Sequence, residues 1–322
     1  MRSMRICLMV EGQENVTWDR WVALARACEE HGFDAMFRSD HYSSLKGRDT
    51  EGSLDAWATL SALAPITERL RLGTMVSPVA FRAPAVLAKS VVTADHVSGG
   101  RVELGMGAGW HEGEHRNWGF PSPPVGERVG MLEEQVQIVH RLMSKDEPRV
   151  SFEGRYYRLE DCPALPKPGQ DPHVPLILGG GGGPRVSRLA ALWADEYNTA
   201  FKTPDECREI RRRLDAACEE VGRDPSTLPM SLMTGFAIGA TPARAAERAT
   251  MAGDLRGLPA GDDPIEALGD AYVAGTPDRV LDKLARFADA GITRVMLQHL
   301  MQDDLESVAL VGTDVIPDAA AL

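Results

Sequence analysis

An α/β fold, a TIM (β/α)8 barrel with an insertion after its fourth strand, is the architecture that this sequence predicts. Eight short apolar runs recur along the chain, most of them are followed by an amphipathic stretch, and 322 residues suit one large barrel. A doubly wound open sheet is the alternative, but no GxGxxG motif follows the first apolar run. We therefore expect residues 1–322 to form a single barrel domain.

The eight apolar runs are predicted to be the barrel strands, and they end near residues 10, 40, 76, 107, 180, 200, 238 and 299. The amphipathic stretches are predicted to be helices, at residues 17–32, 53–67, 84–100, 127–143, 184–194, 203–222 and 276–291. Proline and glycine interrupt this pattern between the fourth and fifth strands, at residues 119–126 and 151–173. We expect the second segment to contain a small hairpin that turns at Glu153–Gly154.

The charge and cysteine content argue against several classes of protein. There are 35 Lys and Arg against 47 Asp and Glu, and the basic residues are scattered, which argues against a nucleic-acid partner. The five cysteines lack CxxC spacing, so we expect free thiols and no metal site. No apolar run is long enough for a membrane-spanning helix or a signal peptide. We expect a cytoplasmic protein with no membrane partner.

Polar residues at the predicted strand ends are the candidates for chemistry, because barrel enzymes carry their active sites where the strands end. The second strand ends in RSDH, which brings Asp40 and His41 to the barrel mouth. A histidine has an ordinary pKa of about 6.5 and can exchange a proton near neutral pH. Asp40 could equally cap a turn, and His41 could be a surface residue.

Two glycine-rich segments also lie at strand ends. Gly105, Gly107 and Gly109 occupy alternate positions in RVELGMGAGW, so one face of that strand lacks side chains. Either tight packing inside the barrel or a flat ligand would explain this face. Five glycines at 179–183 precede Pro184, an arrangement typical of a helix N-terminus that binds phosphate through backbone N–H groups. A flexible turn is the simpler alternative.

Three longer segments together form a specific combination of motifs. They are GTMVSPVAFRAPAVLAKSVVTADHVSGGRVELGMGAGWHEGEHRNWGFP, ERVGMLEEQVQIV and PLILGGGGGPRVSRLAALWADEYNT. Together they resemble the bacterial luciferase-like monooxygenase superfamily, and within it the branch that uses the deazaflavin coenzyme F420. The similarity runs over roughly the whole chain, from RSDH to GTPDRVLDKLARFADAGITRVML. The resemblance implies a barrel, often a homodimer, with the cofactor ring at the carboxyl ends of the strands.

The resemblance also implies roles for individual residues. Asp40 would contact the deazaflavin ring, and His41 would give or take a proton beside the substrate. A non-prolyl cis peptide bond is expected at Thr74–Met75, where it would support the rear face of the ring. A β-branched residue at Gly183 is expected to block any positive φ there and to crowd the phosphate. The other implied cofactor contacts are Ala108 and Gly109 at the ring, and Gly182, Gly183, Arg185 and Val186 at the phosphate.

The implied reaction follows from the cofactor. A deazaflavin transfers hydride and reacts poorly with oxygen, so the resemblance implies hydride transfer between F420 and a small organic substrate, with His41 as acid/base. Two alternatives stay open. One is an FMN-dependent luciferase-like monooxygenase on the same scaffold. The other is a barrel without a cofactor that only binds a ligand.

The loop after the fourth strand bears on the substrate. Sugar-phosphate dehydrogenases of the F420 branch carry Glu at the position of Trp110, so the resemblance argues against glucose 6-phosphate. Trp110 and His111 would form an aromatic, mostly apolar substrate pocket, although Trp110 could instead be a core residue of the insertion. Glu114 and Arg128 are predicted to be structural charges that fix this loop.

Overall fold

The computed structural model describes residues 4–45 and 50–322 and confirms the predicted TIM barrel. Strands in the described part of the chain are β1 (Arg5–Val10), β2 (Ala35–Arg38), β3 (Arg71–Thr74), β4 (Ser77–Pro78), β5 (Val102–Gly107), β6 (Arg149–Glu153), β7 (Arg158–Pro163), β8 (Leu176–Gly179), β9 (Glu196–Ala200), β10 (Met230–Ile238), β11 (Val273–Gly275) and β12 (Ile292–His299). The barrel consists of β1, β2, β3, β5, β8, β9, β10 and β12, all parallel and paired in that order. β12 pairs with β1 and closes the sheet.

The barrel strands end close to the residues predicted from the sequence. The first, fourth, sixth, seventh and eighth end as predicted, and the fifth ends at Gly179. The second and third end at Arg38 and Thr74, slightly earlier than predicted. Just beyond each of these two strands, one further backbone hydrogen bond still joins the chain to a neighbouring strand. Ser39 N–H donates to Val10 O, and Met75 N–H donates to Arg38 O.

Helices surround the barrel, and each predicted helical segment overlaps one of them. They are α1 (Trp18–Glu30), α2 (Ala56–Leu63), α3 (Pro84–Ser98), α4 (Glu112–Trp118), α5 (Val125–Met143), α6 (Pro184–Trp193), α7 (Pro204–Val221), α8 (Pro242–Arg256), α9 (Pro264–Ala267), α10 (Pro277–Asp289), α11 (Leu305–Asp314) and α12 (Ile316–Ala319). Short 3-10 turns occupy Ala64–Ile66 and Pro225–Thr227. The sequence prediction omitted α8, although Thr241 caps it and Pro242 begins it.

The insertion between β5 and β8 contains the predicted hairpin. β6 and β7 pair antiparallel, and the turn between them begins at Gly154, whose N–H donates to Tyr157 O at 3.0 Å. Glu134 on α5 accepts hydrogen bonds from the backbone N–H groups of Arg155, Tyr156 and Tyr157. The carboxylate of Glu134 therefore holds the hairpin against α5.

The barrel interior is apolar in its middle and charged at its amino-terminal end. Cys7, Met9, Phe37 and Ile177 are among the buried side chains that fill the middle layers. At the amino-terminal end Arg294 is 1% exposed and pairs with several carboxylates, including Glu103, Asp34 and Glu196. Burial raises the pKa of Glu103, but Arg294 and Arg71 outweigh it and lower that pKa to about 2. These buried ion pairs fill the amino-terminal end of the barrel, opposite the carboxyl ends of the strands.

The remaining sequence expectations concern thiols, metals and membranes. All five cysteines are free thiols, and four of them are buried. Residues 4–45 and 50–322 contain no group of three or more His, Cys, Asp or Glu side chains placed to hold a metal ion. In the same ranges, none of the helices combines the length and the apolar character needed to cross a membrane.

Candidate functional site

A cavity of about 730 Å³ opens at the carboxyl ends of the barrel strands. Barrel enzymes carry their active sites at this end, and the volume lies in the usual range for small-molecule and cofactor pockets. The cavity is lined by several residues predicted from the sequence, namely His41, Met75, Ala108, Gly109, Trp110 and Val186. Asp40, Thr74, His111, Gly182, Gly183 and Arg185 are not part of the lining.

His41 follows β2, and its imidazole contacts a carboxylate from the loop region after β5. Nδ1 of His41 lies 2.7 Å from Oε2 of Glu114, which is on α4 and fully buried. The other oxygen of Glu114 accepts hydrogen bonds from the backbone N–H groups of Tyr42 and Ser43. Glu114 therefore holds the loop after β2 and the imidazole of His41, and the prediction that it fixes the loop after the fourth strand stays a prediction.

The pKa of His41 reflects a competition between burial and this carboxylate. Burial lowers it, but the hydrogen bond and the negative charge of Glu114 raise it more, so the pKa of His41 lies above its ordinary value. Burial raises the pKa of Glu114, and the hydrogen bonds from His41, Tyr42 and Ser43 together lower it below the ordinary value. Both shifts stabilise the ion pair of a protonated His41 with Glu114.

Asp40 is buried beneath the cavity and does not reach it. Its Oδ2 accepts hydrogen bonds from the hydroxyl of Ser77, at 2.9 Å, and from Arg82. Arg82 in turn pairs with Asp55, the N-cap residue of α2. Asp40 therefore anchors the loops after β2 and β3, and the predicted contact with a cofactor ring stays a prediction.

The aromatic residues of the predicted substrate pocket lie at the rim of the cavity. Trp110 is 62% exposed, so the alternative that it is a core residue of the insertion is wrong. Its ring centroid lies 6.1 Å from that of His41, and His111 packs against both rings. Trp118 on α4 donates from Nε1 to the hydroxyl of Ser43 and joins this rim to the loop after β2.

A non-prolyl cis peptide bond is present after β3, but one residue later than predicted. It joins Met75 to Val76, so the expectation of a cis bond at Thr74–Met75 was wrong. Thr74 is still part of the sheet, because its hydroxyl donates to Gly105 O and the following N–H donates to Arg38 O. The chain changes direction only once these sheet contacts end, and Met75 and Val76 then line the cavity.

The alternating glycines of β5 make room for this bend. A Cβ on Gly105 would lie 2.1 Å from the carbonyl oxygen of Thr74, and one on Gly107 would lie 2.7 Å from Cγ2 of Val76. Tight packing inside the barrel therefore explains both positions. Gly109 has a different role, because its φ of +75° turns the chain from β5 toward α4.

The five-glycine loop between β8 and α6 contributes only part of its length to the cavity. Gly179, Gly180 and Gly181 line it, and a Cβ on Gly181 would meet no atom within 4 Å. Gly182 has a φ of +78°, and its N–H donates to the hydroxyl of Tyr197. Gly183 is the N-cap residue of α6 and has a φ of −68°. The expectation that a β-branched residue at Gly183 would block a positive φ was therefore wrong, because the positive φ is at Gly182.

Arg185 points away from the cavity toward α5. Its guanidinium makes a two-point ion pair with Glu133, at 2.7 and 3.0 Å, and also donates to Gly126 O. The backbone N–H groups of Gly181, Gly183, Arg185 and Val186 have no hydrogen-bond acceptor among the described residues. The first turn of α6 therefore offers free backbone donors beside the cavity.

Sequence reasoning missed the polar residues at the ends of β1, β9 and β12. Glu11, Gln298 and Asn198 line the cavity, as do two cations, Lys202 and Arg256. Lys202 pairs with Glu206, and Arg256 stacks on the ring of Phe201. Glu11 could have been found, because it directly follows the first predicted strand, as Asp40 follows the second. Gln298 lies inside an apolar run and carries no such signal.

The closed barrel and its glycine-lined cavity at the strand ends define a TIM-barrel enzyme. The sequence profile described as luciferase-like monooxygenase matches residues 4–294. The chain belongs to this family, as the resemblance of its motifs implied.

Relatives with assigned activities cover most of the chain. An F420-dependent glucose-6-phosphate dehydrogenase of Nakamurella multipartita is 31% identical over 93% of this chain and 92% of its own. A protein of the same description from Microbacterium testaceum is 30% identical over 90% of both. Among solved structures, an F420-dependent secondary alcohol dehydrogenase in complex with an F420–acetone adduct superposes with a TM-score of 0.83, at 23% identity over 99% of both chains.

Proposed function

We propose that this protein is an F420-dependent oxidoreductase that transfers a hydride between the deazaflavin and a small organic substrate, with His41 as the acid/base. The observation that carries the proposal is the pairing of His41 with Glu114 in the wall of the cavity. Nδ1 is engaged by the carboxylate, whereas Nε2 has no partner among the described residues. Nε2 is therefore the atom that can exchange a proton with a substrate oxygen.

The residues of the cavity fit a flat anionic cofactor. Met75, Val76 and Ala108 provide an apolar wall, and the open face at Gly181 lets a ring or its substituent approach the backbone. The free N–H groups at the start of α6 supply donors for a phosphate, and the helix dipole favours a negative charge there. Because Glu133 engages the side chain of Arg185, we assign the phosphate chiefly to the backbone donors.

Each residue then has a defined task in the reaction. When bound, F420 supplies a ring carbon that accepts or gives a hydride. In the oxidation of an alcohol, neutral His41 takes the hydroxyl proton at Nε2. Glu114 holds the imidazole in place and stabilises the positive charge that His41 acquires. Trp110 at the rim limits the access of water to the reacting atoms.

The aromatic rim and the absence of Glu at the position of Trp110 support a substrate with less charge than a sugar phosphate. The relatives' description nevertheless makes glucose 6-phosphate an essential compound to test. We propose small alcohols and the corresponding carbonyl compounds as the first substrates to examine. His111 contacts Trp110 and would border the substrate at the rim.

Titration of the purified protein with F420, FMN and FAD, followed by fluorescence, tests the cofactor assignment. We expect F420 to bind and FMN to bind at least tenfold more weakly, a difference of about 1.4 kcal/mol. Preference for FMN would favour the monooxygenase alternative, and binding of none would favour a barrel without a cofactor. Turnover of alcohols or carbonyl compounds, detected by the F420 absorbance, then tests the reaction.

The homodimer and the cytoplasmic location implied by the sequence stay predictions. Light scattering of the purified protein measures its mass against the 35.0 kDa of one chain. Fractionation of cells that express the protein tests the location.

A further inference from the structure

The cavity wall formed by the ends of β1 and β12 carries a buried hydrogen-bond acceptor, Oε1 of Gln298, that no described residue uses. We propose that this wall, made of Glu11 and Gln298, binds a hydroxyl or ammonium substituent of the substrate and rejects carboxylate and phosphate substituents. This proposal rests on the proposed function, because it concerns the substrate that reacts at His41. It predicts a bifunctional substrate: an alcohol or carbonyl compound that carries a second group able to donate hydrogen bonds.

The side chain of Gln298 is held in one orientation inside the barrel. It lies opposite Met9 in the pairing of β12 with β1, and both side chains line the cavity. Its Nε2 donates to Oε1 of Glu11. Its Oε1 is buried and accepts no hydrogen bond from any described residue. A buried acceptor without a donor costs free energy, and a ligand that supplies the donor recovers it.

Within the described part of the chain, the hydrogen-bond donors to the carboxylate of Glu11 are neutral side chains. Gln13 donates from Nε2 to Oε2 of Glu11 at 2.8 Å, and the Oε1 of Gln13 accepts from the hydroxyl of Ser39. Ser39 in turn accepts from the N–H of Gly12 at 2.9 Å, which makes the hydrogen-bond directions in this network consistent. The network fixes the carboxyl group while leaving part of its acceptor capacity unused.

The charge at this wall selects the kind of substituent. No Lys or Arg within residues 4–45 and 50–322 makes an ion pair with Glu11. Among the described residues, Lys202 and Arg256 are the Lys and Arg side chains that line the cavity, and they belong to the loop after β9 and to the end of α8. An ammonium or hydroxyl group can therefore bind at Glu11 and Gln298, whereas a carboxylate or phosphate would meet the carboxylate of Glu11 and the carbonyl oxygen of Gln298.

The position of the wall places the substituent near the reacting carbon. β1 is the neighbour of both β2, which precedes His41, and β12. Adjacent strands lie about 4.8 Å apart, so the wall begins one strand away from His41 and extends to the second. A few carbon atoms span this distance.

A series of matched compounds tests the proposal with the F420-loaded protein. The compounds have the formula CH3CH(OH)(CH2)nX, with n of about 1 to 4 to cover this spacing and X a methyl, hydroxyl, ammonium or carboxylate group. We expect kcat/KM to be about tenfold or more higher for X = hydroxyl or ammonium than for X = methyl at one chain length, and lowest for carboxylate. The comparison of hydroxyl with ammonium identifies which donor the wall prefers.

The variant Gln298→Leu removes the unpartnered acceptor and keeps a side chain of similar length. It should abolish the preference, so that kcat/KM for X = hydroxyl or ammonium falls to about the value for X = methyl measured in the same variant. Gln137→Leu on α5, outside the cavity, is the matched control and should keep the preference of the parent. A preference that survives in Gln298→Leu, or that favours carboxylate in the parent, would overturn the proposal.

A binding measurement separates this proposal from the proposed function. The thermal shift of the F420-loaded protein with each compound reports binding whether or not the compound reacts. Stronger stabilisation by X = hydroxyl or ammonium than by X = methyl, lost in Gln298→Leu, supports the wall even if no compound is oxidised. Turnover of the whole series with no dependence of rate or thermal shift on X refutes the wall and leaves the proposed reaction standing.

Discussion

His41 and Glu114 are 73 positions apart in the sequence, yet their side chains meet at 2.7 Å between Nδ1 and Oε2. Glu114 is buried and also holds the backbone of Tyr42 and Ser43, so the histidine and its loop are fixed by the same carboxylate. An imidazole fixed at Nδ1 presents Nε2 in a defined direction. Glu114 is thus a positioning residue, and its removal should change the pKa of His41 as well as the rate.

The first prediction concerns Glu114→Gln. Glu114 raises the pKa of His41, so its loss should lower that pKa. In the proposed reaction, alcohol oxidation needs neutral His41 and is lost as the pH falls through the pKa of His41. The acid limb of kcat/KM should therefore move to lower pH in the variant, and the maximal rate should fall by about 10- to 100-fold because the neutral amide does not stabilise the positive charge that His41 acquires.

The matched control for this prediction is Glu112→Gln, which alters an exposed acid on the same helix. The pH dependence of kcat/KM in this variant should match that of the parent. An acid limb that stays at the parent's pH in Glu114→Gln would mean that His41 is not the group that titrates in the profile.

The second prediction concerns His41→Asn. Asparagine can still donate to Glu114 but cannot exchange a proton near neutral pH. We expect F420 affinity within a few-fold of the parent and turnover lowered by about 10²- to 10⁴-fold, the usual effect of losing a positioned acid/base. Fluorescence titration and single-turnover kinetics measure the two quantities. Weaker binding with unchanged chemistry would make His41 a cofactor ligand instead.

The third prediction concerns Gly181 in the loop before α6. Gly181 lines the cavity, and a Cβ there would meet no protein atom within 4 Å. Gly181→Val should lower F420 affinity about tenfold or more by intruding on the ligand, with an unchanged melting temperature. Gly52→Val is the control, because Gly52 lies outside the cavity lining and a Cβ there also meets no atom within 4 Å, and it should bind F420 within about threefold of the parent. Equal binding by both variants would place the cofactor elsewhere.

The fold could be predicted because the spacing of apolar residues that indicates a strand or a helix lies within the sequence of that one element. The strand RICLMV and the helix at 127–143 each carry their pattern within a few consecutive residues. The missed α8 shows the limit, because residues 242–250 of this helix include no large apolar side chain. The cis bond was misplaced by one residue because its position depends on how long Thr74 and Met75 stay hydrogen-bonded to the neighbouring strands.

The site was predicted less completely, because its contacts join distant parts of the chain. His41 was found from its place at a strand end, but its pairing with Glu114 depends on how α4 folds back over the barrel mouth. The sequence shows a charged Arg185 beside a glycine loop, and only the structure shows Glu133 engaging it. Family motifs identify positions, whereas the direction of a side chain is set by its neighbours in space.

A histidine outside the cavity leads to the last prediction. His299 ends β12, is 1% exposed, and has no hydrogen-bond partner at either ring nitrogen among the described residues. Its ring packs at 5.6 Å from that of Phe236. Burial is the main cause that lowers its pKa, to about 4. The folded protein therefore holds His299 neutral at a pH where the unfolded chain would protonate it.

Between about pH 6.5 and pH 4 the unfolded state binds the proton of His299 and the folded state does not, so stability should fall as the pH falls through this range. The full difference corresponds to roughly 3 kcal/mol at about pH 4. His299→Leu removes this contribution and should lose less stability than the parent between about pH 7 and pH 4.5 in urea unfolding. His96→Leu, on the exposed side of α3, should follow the parent. Parallel pH dependences of the parent and His299→Leu would show that the protonation of His299 does not limit acid stability.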